Sequence, residues 1–173
     1  MTTKKLSFST KDVTYYFDAA FEHLEKLAPK ENTFIITDEN VFSKNEKRFK
    51  YWKVIVAPAG EQYKNQHTVD TIIEKLVQYG ADRKSYIVGV GGGVITDMAG
   101  YVASIYMRGV SFGFVPTSIL AMVDASIGGK NGVDVGVYKN MVGLIRHQTF
   151  CCMITRCLKH CQKKSGLMAL QKL

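Results

Sequence analysis

Ionic and amide side chains are spread among apolar residues and glycines between residues 97 and 140. The candidates for chemistry among them are Asp97, Arg108, Asp124, Lys130, Lys139 and Asn140. A solvated surface clusters its charges, whereas a site for a polyanionic ligand isolates them, and ammonium and guanidinium groups suit phosphate and carboxylate. One of the cations could instead be a structural ion-pair partner, because buried charges need partners. The pattern favours a site for a ligand that carries phosphate and carboxylate groups.

Three consecutive glycines, Gly91 to Gly93, follow an apolar run and precede a helical pattern. Glycines at such a position let backbone N–H groups approach a pyrophosphate, which the helix N-terminus then stabilises. A tight turn is the alternative reading. This sequence does not have the Gly-x-Gly-x-x-Gly motif with an acid about twenty residues later, so it does not indicate an ordinary Rossmann dehydrogenase.

Two further motifs each have two readings. Asp97 lies in the first turn of the next helix, where it either accepts hydrogen bonds from ribose hydroxyls or complements the helix dipole. The segment Gly-Glu-Gln-Tyr-Lys at 60–64 is either a loop that contacts a cofactor or an ordinary helix start with an early acid.

Short apolar runs alternate with helical periods along the chain, which predicts an α/β fold with a Rossmann-like parallel sheet and flanking helices. The runs are continuous rather than alternating, as in parallel strands buried on both faces. The predicted strands begin at Thr33, Lys53, Tyr86 and Phe112, and the predicted helices cover 18–27, 68–79 and 94–107.

The polar motifs follow the predicted strands. Ligands of open parallel sheets bind outside the carboxyl ends of the strands. Asp38 and Asn40, Glu61 and Lys64, Gly91 to Asp97, and Thr117 with Ser118 all stand at such ends. Their common position predicts a nucleotide-type site.

Composition narrows the class of protein. The chain has 173 residues, of which 46% are hydrophobic, so it can fill a core. No signal-peptide core or apolar run of about 18 residues occurs, so a soluble cytoplasmic protein without membrane contact is expected. The net charge of +8 includes +5 from residues 147–173, which contain no acid, so a basic nucleic-acid-binding module is the weaker alternative. The four cysteines of that tail fit no usual zinc spacing, and no metal site is expected there.

Over residues 30–146 these motifs together resemble the 3-dehydroquinate synthases, which belong to the sugar-phosphate cyclases of the shikimate pathway. The matching text is Gly-Glu-Gln-Tyr-Lys at 60–64, Gly-Gly-Gly-Val-Ile-Thr-Asp at 91–97, Tyr-Met-Arg-Gly at 106–109, Pro-Thr-Ser-Ile-Leu-Ala-Met-Val-Asp at 116–124, Ser-Ile-Gly-Gly-Lys at 126–130 and Lys-Asn at 139–140. Thr96 and Ser118 stand where relatives often carry Gly and Thr.

The resemblance implies an NAD-binding α/β domain, here residues 1–146, followed by an all-α domain that carries a divalent metal, zinc or cobalt. NAD transiently oxidises a substrate hydroxyl, phosphate is eliminated, the ketone is reduced again and an aldol step closes the ring. The implied partner is a seven-carbon sugar acid phosphate rather than nucleic acid, and a homodimer of the family type is compatible with the chain. Another sugar-phosphate cyclase is the alternative within the same family.

The resemblance also assigns roles residue by residue. Those implied to bind NAD are Asp38, Gly60, Glu61, Gln62, Tyr63, Lys64, Gly92, Gly93, Val94, Ile95, Thr96, Asp97, Thr117 and Ser118. Those implied to bind and convert the substrate are Asp124, Lys130, Lys139 and Asn140, with Arg108 reaching in from its own loop.

After Arg146 the resemblance stops. If the last base of each codon is read with the first two of the next, the junctions Phe150–Cys151 and Cys151–Cys152 each give Leu, and Met153–Ile154 gives Asp. The shifted text can read Leu-Leu-Tyr-Asp, Leu-Pro-Glu-Glu and Gly-x-Ala-Glu, which resembles the family's continuation into its metal domain. We therefore expect residues 147–173 to be an out-of-frame, poorly packed tail, the metal ligands to be absent and the chain alone to lack turnover. An unusual but genuine tail is the alternative.

Overall fold

The computed structural model describes residues 1–8 and 11–154, which are built around a seven-stranded sheet. Its strands in chain order are β1 (Thr2–Ser7), β2 (Asp12–Phe17), β3 (Thr33–Asp38), β4 (Lys53–Ala57), β5 (Tyr86–Gly91), β6 (Ser111–Pro116) and, after a separate hairpin of β7 (Lys130–Val135) and β8 (Tyr138–Ile145), β9 (Phe150–Met153). The spatial order is β1-β2-β9-β6-β5-β3-β4, and all pairs are parallel except β1 with β2. The predicted parallel sheet is confirmed.

Helices cover both faces of this sheet, as a parallel sheet requires. They are α1 (Leu24–Leu27), α2 (Glu39–Phe49), α3 (Gln66–Gln78) and α4 (Gly93–Ile105). One apolar cluster joins Phe34, Phe114 and Met98 on the face of α3 and α4, and the other joins Ile35 and Leu24 on the opposite face. No helix among the described residues is long and apolar enough to span a bilayer.

Helix α2 was not predicted, whereas α3 and α4 were. The α2 sequence carries many charges, but Asp38 supplies an N-cap, because its carboxylate accepts a hydrogen bond from the Val41 N–H at 3.0 Å. Helix α3 is capped in the same way by Asn65, which accepts from the Thr68 N–H at 3.0 Å. Residues 18–27 form only a 3-10 turn, Phe21–His23, and the single turn of α1.

Strand β9 lies beyond Arg146, the predicted boundary of the domain. It is inserted between β2 and β6, and its Cys151 and Cys152 are fully buried. The Phe150 ring lies so close to Gly113 that a Cβ there would come within 2.5 Å of the ring. The expectation of poor packing is therefore wrong for residues 147–154; the rest of the tail lies outside the described residues.

The physical reason lies in a local run that the composition of the whole tail obscured. Phe150 to Met153 is apolar and uncharged, as a strand buried on both faces must be, whereas the basic residues follow at and after Arg156. The sheet continues to Met153.

Thiol alkylation tests the placement of β9. Burial raises the pKa of the Cys151 thiol to about 12. Because the thiolate is the reactive form, we expect native protein at about pH 8 to leave Cys151 and Cys152 unlabelled by iodoacetamide. Peptide mapping by mass spectrometry reads each cysteine separately. Labelling in guanidinium chloride is the control, and equal rates for Cys151 in native and denatured protein would contradict the strand assignment.

Candidate functional site

The predicted polar motifs converge at the carboxyl ends of β3 to β6. Asp38 ends β3, residues 58–64 follow β4, the glycine turn 91–93 follows β5, and Thr117 follows β6. The turn and the last loop touch, because the Thr117 N–H donates to the Gly91 carbonyl at 2.8 Å. Parallel pairing thus places four loops at one edge of the sheet, where open α/β sheets bind their ligands.

Lys64 is the charged centre of this edge. Gly60, at φ 125°, turns the chain into the 3-10 turn Glu61–Tyr63, a backbone conformation that favours glycine. The Lys64 side chain that follows is only 5% exposed. Its Nζ donates to Asp97 Oδ2 and to Asn140 Oδ1, both at 2.6 Å. The buried ammonium therefore joins the β4 loop to α4 and to β8.

Asp97 lies in the second turn of α4, and its ionisation balance reflects both burial and Lys64. Burial raises the pKa of the Asp97 carboxyl, and Lys64 opposes this effect through its hydrogen bond and charge. The nearby acids Glu61 and Asp124 raise the pKa further. A carboxyl group in this setting, still 20% exposed, can accept a hydrogen bond from a ligand hydroxyl.

The three glycines of the turn differ in what they permit. A Cβ on Gly91 would come within 2.6 Å of the Ile95 Cβ, so packing of the turn against α4 requires glycine there. At Gly92 the first neighbour is Ser118 Oγ at 3.6 Å, and at Gly93 it is the Ala125 Cβ at 3.8 Å. The protein's own packing does not require glycine at these two positions. The open space lies at the N-terminus of α4, where free N–H groups favour an anion.

Two residues of this turn that are predicted to bind NAD have side chains that face the protein interior. Ile95 is 1% exposed and packs on Gly91, and the buried Thr96 hydroxyl donates to the Gly92 and Gly93 carbonyls. Both side chains point inward because they occupy the face of α4 that packs on the sheet. Ser118 Oγ accepts from the Ala121 N–H at 3.2 Å, so it caps the following turn beside Gly92.

A cleft of about 600 Å³ lies beside this turn, below the β7–β8 hairpin. Its lining includes four of the predicted site residues: Asp97, Asp124, Lys130 and Asn140. Asp124 stands in the π-helical turn Ala121–Ala125 and is exposed, as is Lys130 at the start of β7. The volume is that of a small-molecule site.

Lys139 stands at the rim of this cleft rather than in its lining. Its Nζ lies 3.4 Å from Glu61 Oε1, and the two side chains are 67% and 47% exposed. Such a solvated pair contributes about 0–1 kcal/mol, so either group can exchange its partner for a ligand.

Arg108, which is expected to reach in from its own loop, is absent from the described residues that line this cleft. It follows the C-terminus of α4, whose 13 residues span about 20 Å from the glycine turn. Arg108 is exposed and, like Met107, has a positive φ (68° and 48°). Non-glycine residues adopt this conformation rarely, and such strain concentrates at functional sites.

The remaining predicted NAD contacts are arranged along the sheet edge. Asp38 is half-buried and already caps α2, while Glu61, Gln62 and Tyr63 are exposed on the loop before Lys64. Val94 is half-buried in the first turn of α4.

Two residues that the sequence analysis did not single out hold the hairpin in place. Asn131 Nδ2 donates to the Gly129 and Arg146 carbonyls at 2.7 and 2.9 Å. A Cβ on Gly100 of α4 would collide with this amide, so β7 rests directly on the helix. Asp134 joins the hairpin to Lys64 through its backbone N–H at 2.8 Å. Neither the spacing nor the residue type indicated these contacts, because they depend on the hairpin's position over α4.

The fold is that of a Rossmann-like α/β unit with its polar groups gathered at the carboxyl ends of the strands. Comparison with known proteins gives its family. Residues 54–167 match the family model described as 3-dehydroquinate synthase N-terminal, so the family match continues past Arg146, where the resemblance was expected to stop. The 3-dehydroquinate synthase of Pyrococcus abyssi is 52% identical over 104 residues, covering 60% of this chain and 31% of that protein. The enzyme of Campylobacter concisus is 39% identical over 145 residues, covering 80% and 42%. The chain belongs to the 3-dehydroquinate synthase family and spans less than half the length of these relatives.

Solved structures show the same fold. A crystal structure of 2-deoxy-scyllo-inosose synthase superposes with a TM-score of 0.80 and 29% identity, covering 90% of this chain and 47% of that one. A second structure of such a synthase, complexed with carbaglucose-6-phosphate, NAD+ and Co2+, matches with a TM-score of 0.79. That complex holds a sugar phosphate analogue, NAD+ and a divalent metal.

Stability measurements test the Lys64–Asp97 pair. Lys64→Met leaves a buried carboxylate without its cation, and we expect a loss of about 3 kcal/mol in the free energy of unfolding near neutral pH. Because burial raises the pKa of Asp97, the carboxyl is neutral at acid pH, and the loss should grow as pH rises through that pKa. Guanidinium chloride unfolding at several pH values measures this dependence.

The matched control is Lys75→Met on α3, which should change stability by no more than about 0.5 kcal/mol. The double variant Lys64→Met/Asp97→Asn should recover about 1 kcal/mol or more, because the unpaired charge is gone. A pH-independent loss with no recovery in the double variant would contradict the ion-pair account.

Proposed function

We propose that this chain carries the NAD-binding part of a 3-dehydroquinate synthase. The observation that carries the proposal is that a Cβ would fit without a clash at Gly92 and at Gly93, at the start of α4, so packing alone does not explain the two glycines. A turn selected only for tightness would need glycine at Gly91 alone, whereas a pyrophosphate on the helix N-terminus needs the other two positions free of side chains.

The surrounding groups suit the rest of a dinucleotide. Asp97 and Glu61 offer carboxylate oxygens to ribose hydroxyls, Lys64 offers a cation, and Thr117 and Ser118 add hydroxyls beside the turn. In this assignment Asp38, at the end of β3, lies near the adenosine end of NAD. When bound, NAD would supply an acceptor for the hydride on the carbon that bears a substrate hydroxyl.

The cleft is proposed to hold the sugar acid phosphate, 3-deoxy-D-arabino-heptulosonate 7-phosphate, which the family converts to 3-dehydroquinate with release of phosphate. Lys130 in the lining and Lys139 at the rim provide cations for phosphate and carboxylate. Asn140 and Asp124 offer hydrogen-bond partners for hydroxyl groups. Asn140 touches Lys64, so the substrate side and the cofactor side share one hydrogen bond.

Titration calorimetry with NAD+ tests the cofactor site. The wild-type chain should bind NAD+ saturably. Gly93→Ala should remain folded, since alanine is preferred over glycine in a helix by about 1 kcal/mol, but it should lose affinity about tenfold or more because the methyl fills the anion site.

Gly91→Ala gives the opposite pattern and is the matched control. Its Cβ would clash with Ile95, so it should destabilise the fold by about 1–3 kcal/mol. A folded wild-type chain that binds no NAD+, or a Gly93→Ala variant with unchanged affinity, would refute the assignment.

The proposal assigns the metal-dependent steps to the all-α domain that the resemblance implies. The described residues contain no group of three or more His, Cys, Asp or Glu placed to hold a metal ion. We therefore expect no phosphate release from the substrate by this chain with added NAD+ and zinc, against a typical enzyme turnover of about 10 per second. A phosphate-release assay measures this directly, and turnover in that range would overturn this part of the proposal.

A different sugar-phosphate cyclase activity is the second candidate, favoured by the likeness to 2-deoxy-scyllo-inosose synthase. The seven-carbon sugar acid phosphate carries a carboxylate that glucose 6-phosphate lacks. In the first assignment Lys130 or Lys139 would pair with that carboxylate. Competition binding of the two phosphates to the NAD+-loaded chain distinguishes the candidates.

A further inference from the structure

Asp134 makes two hydrogen bonds that connect it to Lys64, one directly and one through Asn140. Its backbone N–H donates to the Lys64 carbonyl at 2.8 Å, within the isolated parallel bridge between Asn65 and Asp134. Its carboxylate Oδ1 accepts from the Asn140 N–H at 2.7 Å. Asn140 in turn accepts from the Lys64 ammonium at 2.6 Å. The contacts form a closed ring that fixes Lys64 at its backbone and at its side-chain end.

The geometry of the β7–β8 hairpin allows Asp134 to make both hydrogen bonds. The register between β7 and β8 is irregular between Val133 and Val135, so Asp134 leaves the ladder and its N–H is free to pair outside the hairpin. Val133 remains buried at 0% exposure, which keeps the hairpin seated while Asp134 turns to the β4 loop.

Asn140 needs this support because of its backbone. Its φ of 55° lies in the left-handed region, which asparagine tolerates better than most residues but still at a cost. The hydrogen bond from its N–H to a carboxylate is charge-assisted and therefore stronger than one to a neutral acceptor. That bond holds the conformation in which the Asn140 amide reaches Lys64.

We propose that Asp134 is a positioning residue, which sets the Lys64 ammonium and the Asn140 amide for the ligands and couples the cofactor side of the site to the substrate side. Asp134 is absent from the described residues that line the cleft, so it acts through Lys64 and Asn140. The inference rests on the proposed function for the identity of the ligand, but its geometric part can be tested without any ligand.

Lysine acylation reads the geometry directly. Lys64 is 4% exposed and its Nζ is engaged twice, so an N-hydroxysuccinimide acetate should label it much more slowly than Lys75. Asp134→Ala should speed Lys64 labelling about tenfold, the ratio that loss of about 1.4 kcal/mol of protection gives. Asp134→Asn keeps an acceptor oxygen for the Asn140 N–H and should stay within about threefold of wild type.

Calorimetric titration with NAD+ then links geometry to function. Asp134→Ala should weaken NAD+ binding about tenfold while the unfolding midpoint changes little, and Asp134→Asn should restore the affinity. Asp70→Ala, which removes an exposed acid on α3 that accepts from Gln66, controls for net charge and should bind as wild type does. If Asp134→Ala does not fold, Asp134→Val replaces it, because valine suits a strand.

A double-mutant cycle separates positioning from general stability. In an Asn140→Gly background, where glycine accepts the positive φ and the amide is gone, Asp134→Ala should cost less than about twofold in affinity. Unchanged Lys64 labelling in Asp134→Ala, or equal losses in both backgrounds, would overturn the proposal. Absence of NAD+ binding by wild type would refute the proposed function instead, and the labelling experiment would still decide the role of Asp134.

Discussion

The burial of one ammonium group governs the arrangement of this site. A charged amino group at 4% exposure is unfavourable unless acceptors surround it, and Lys64 finds them on two other segments. Asp97 comes from α4 and Asn140 from β8, so the β4 loop, the helix and the hairpin must meet at one point. The same meeting point borders the open glycine turn and the 600 Å³ cleft. The hydrogen bonds that stabilise the buried Lys64 ammonium therefore also bring the glycine turn and the cleft together.

Small residues make that meeting point possible. Helix α4 lies so close to the sheet that a Cβ on Gly89 would come within 2.8 Å of the Ala99 Cβ. On its other side, Gly100 leaves room for Asn131 and hence for the hairpin. These close contacts fix the position of the helix start, where free N–H groups face the open space. Gly92 and Gly93 are different, since a Cβ at either position would make only ordinary contacts, with Ser118 Oγ at 3.6 Å and with the Ala125 Cβ at 3.8 Å.

Strand β9 shows how the sheet depends on residues far along the chain. It lies between β2 and β6, so the N-terminal strand pair joins the rest of the sheet through it. The buried amide of Gln148 just before it donates to the Ser126 carbonyl at 2.7 Å, and the Tyr15 hydroxyl donates to the same carbonyl at 3.3 Å. Tyr15 and Gln148, which lie near opposite ends of the described chain, thus hold the loop that leads to Lys130.

The residue pattern alone was enough to predict the parallel strands β3 to β6, the helices α3 and α4 and the meeting of the polar motifs at the strand ends. These follow from local periodicity and from the geometry of parallel sheets, which a single chain displays in its residue pattern. The place of β9, the inward orientation of Thr96 and the absence of Arg108 from the described cleft lining follow instead from tertiary packing. It also decided the roles of Asn131 and Asp134. Each of these depends on which distant segments pack together, and residue type and spacing do not encode that.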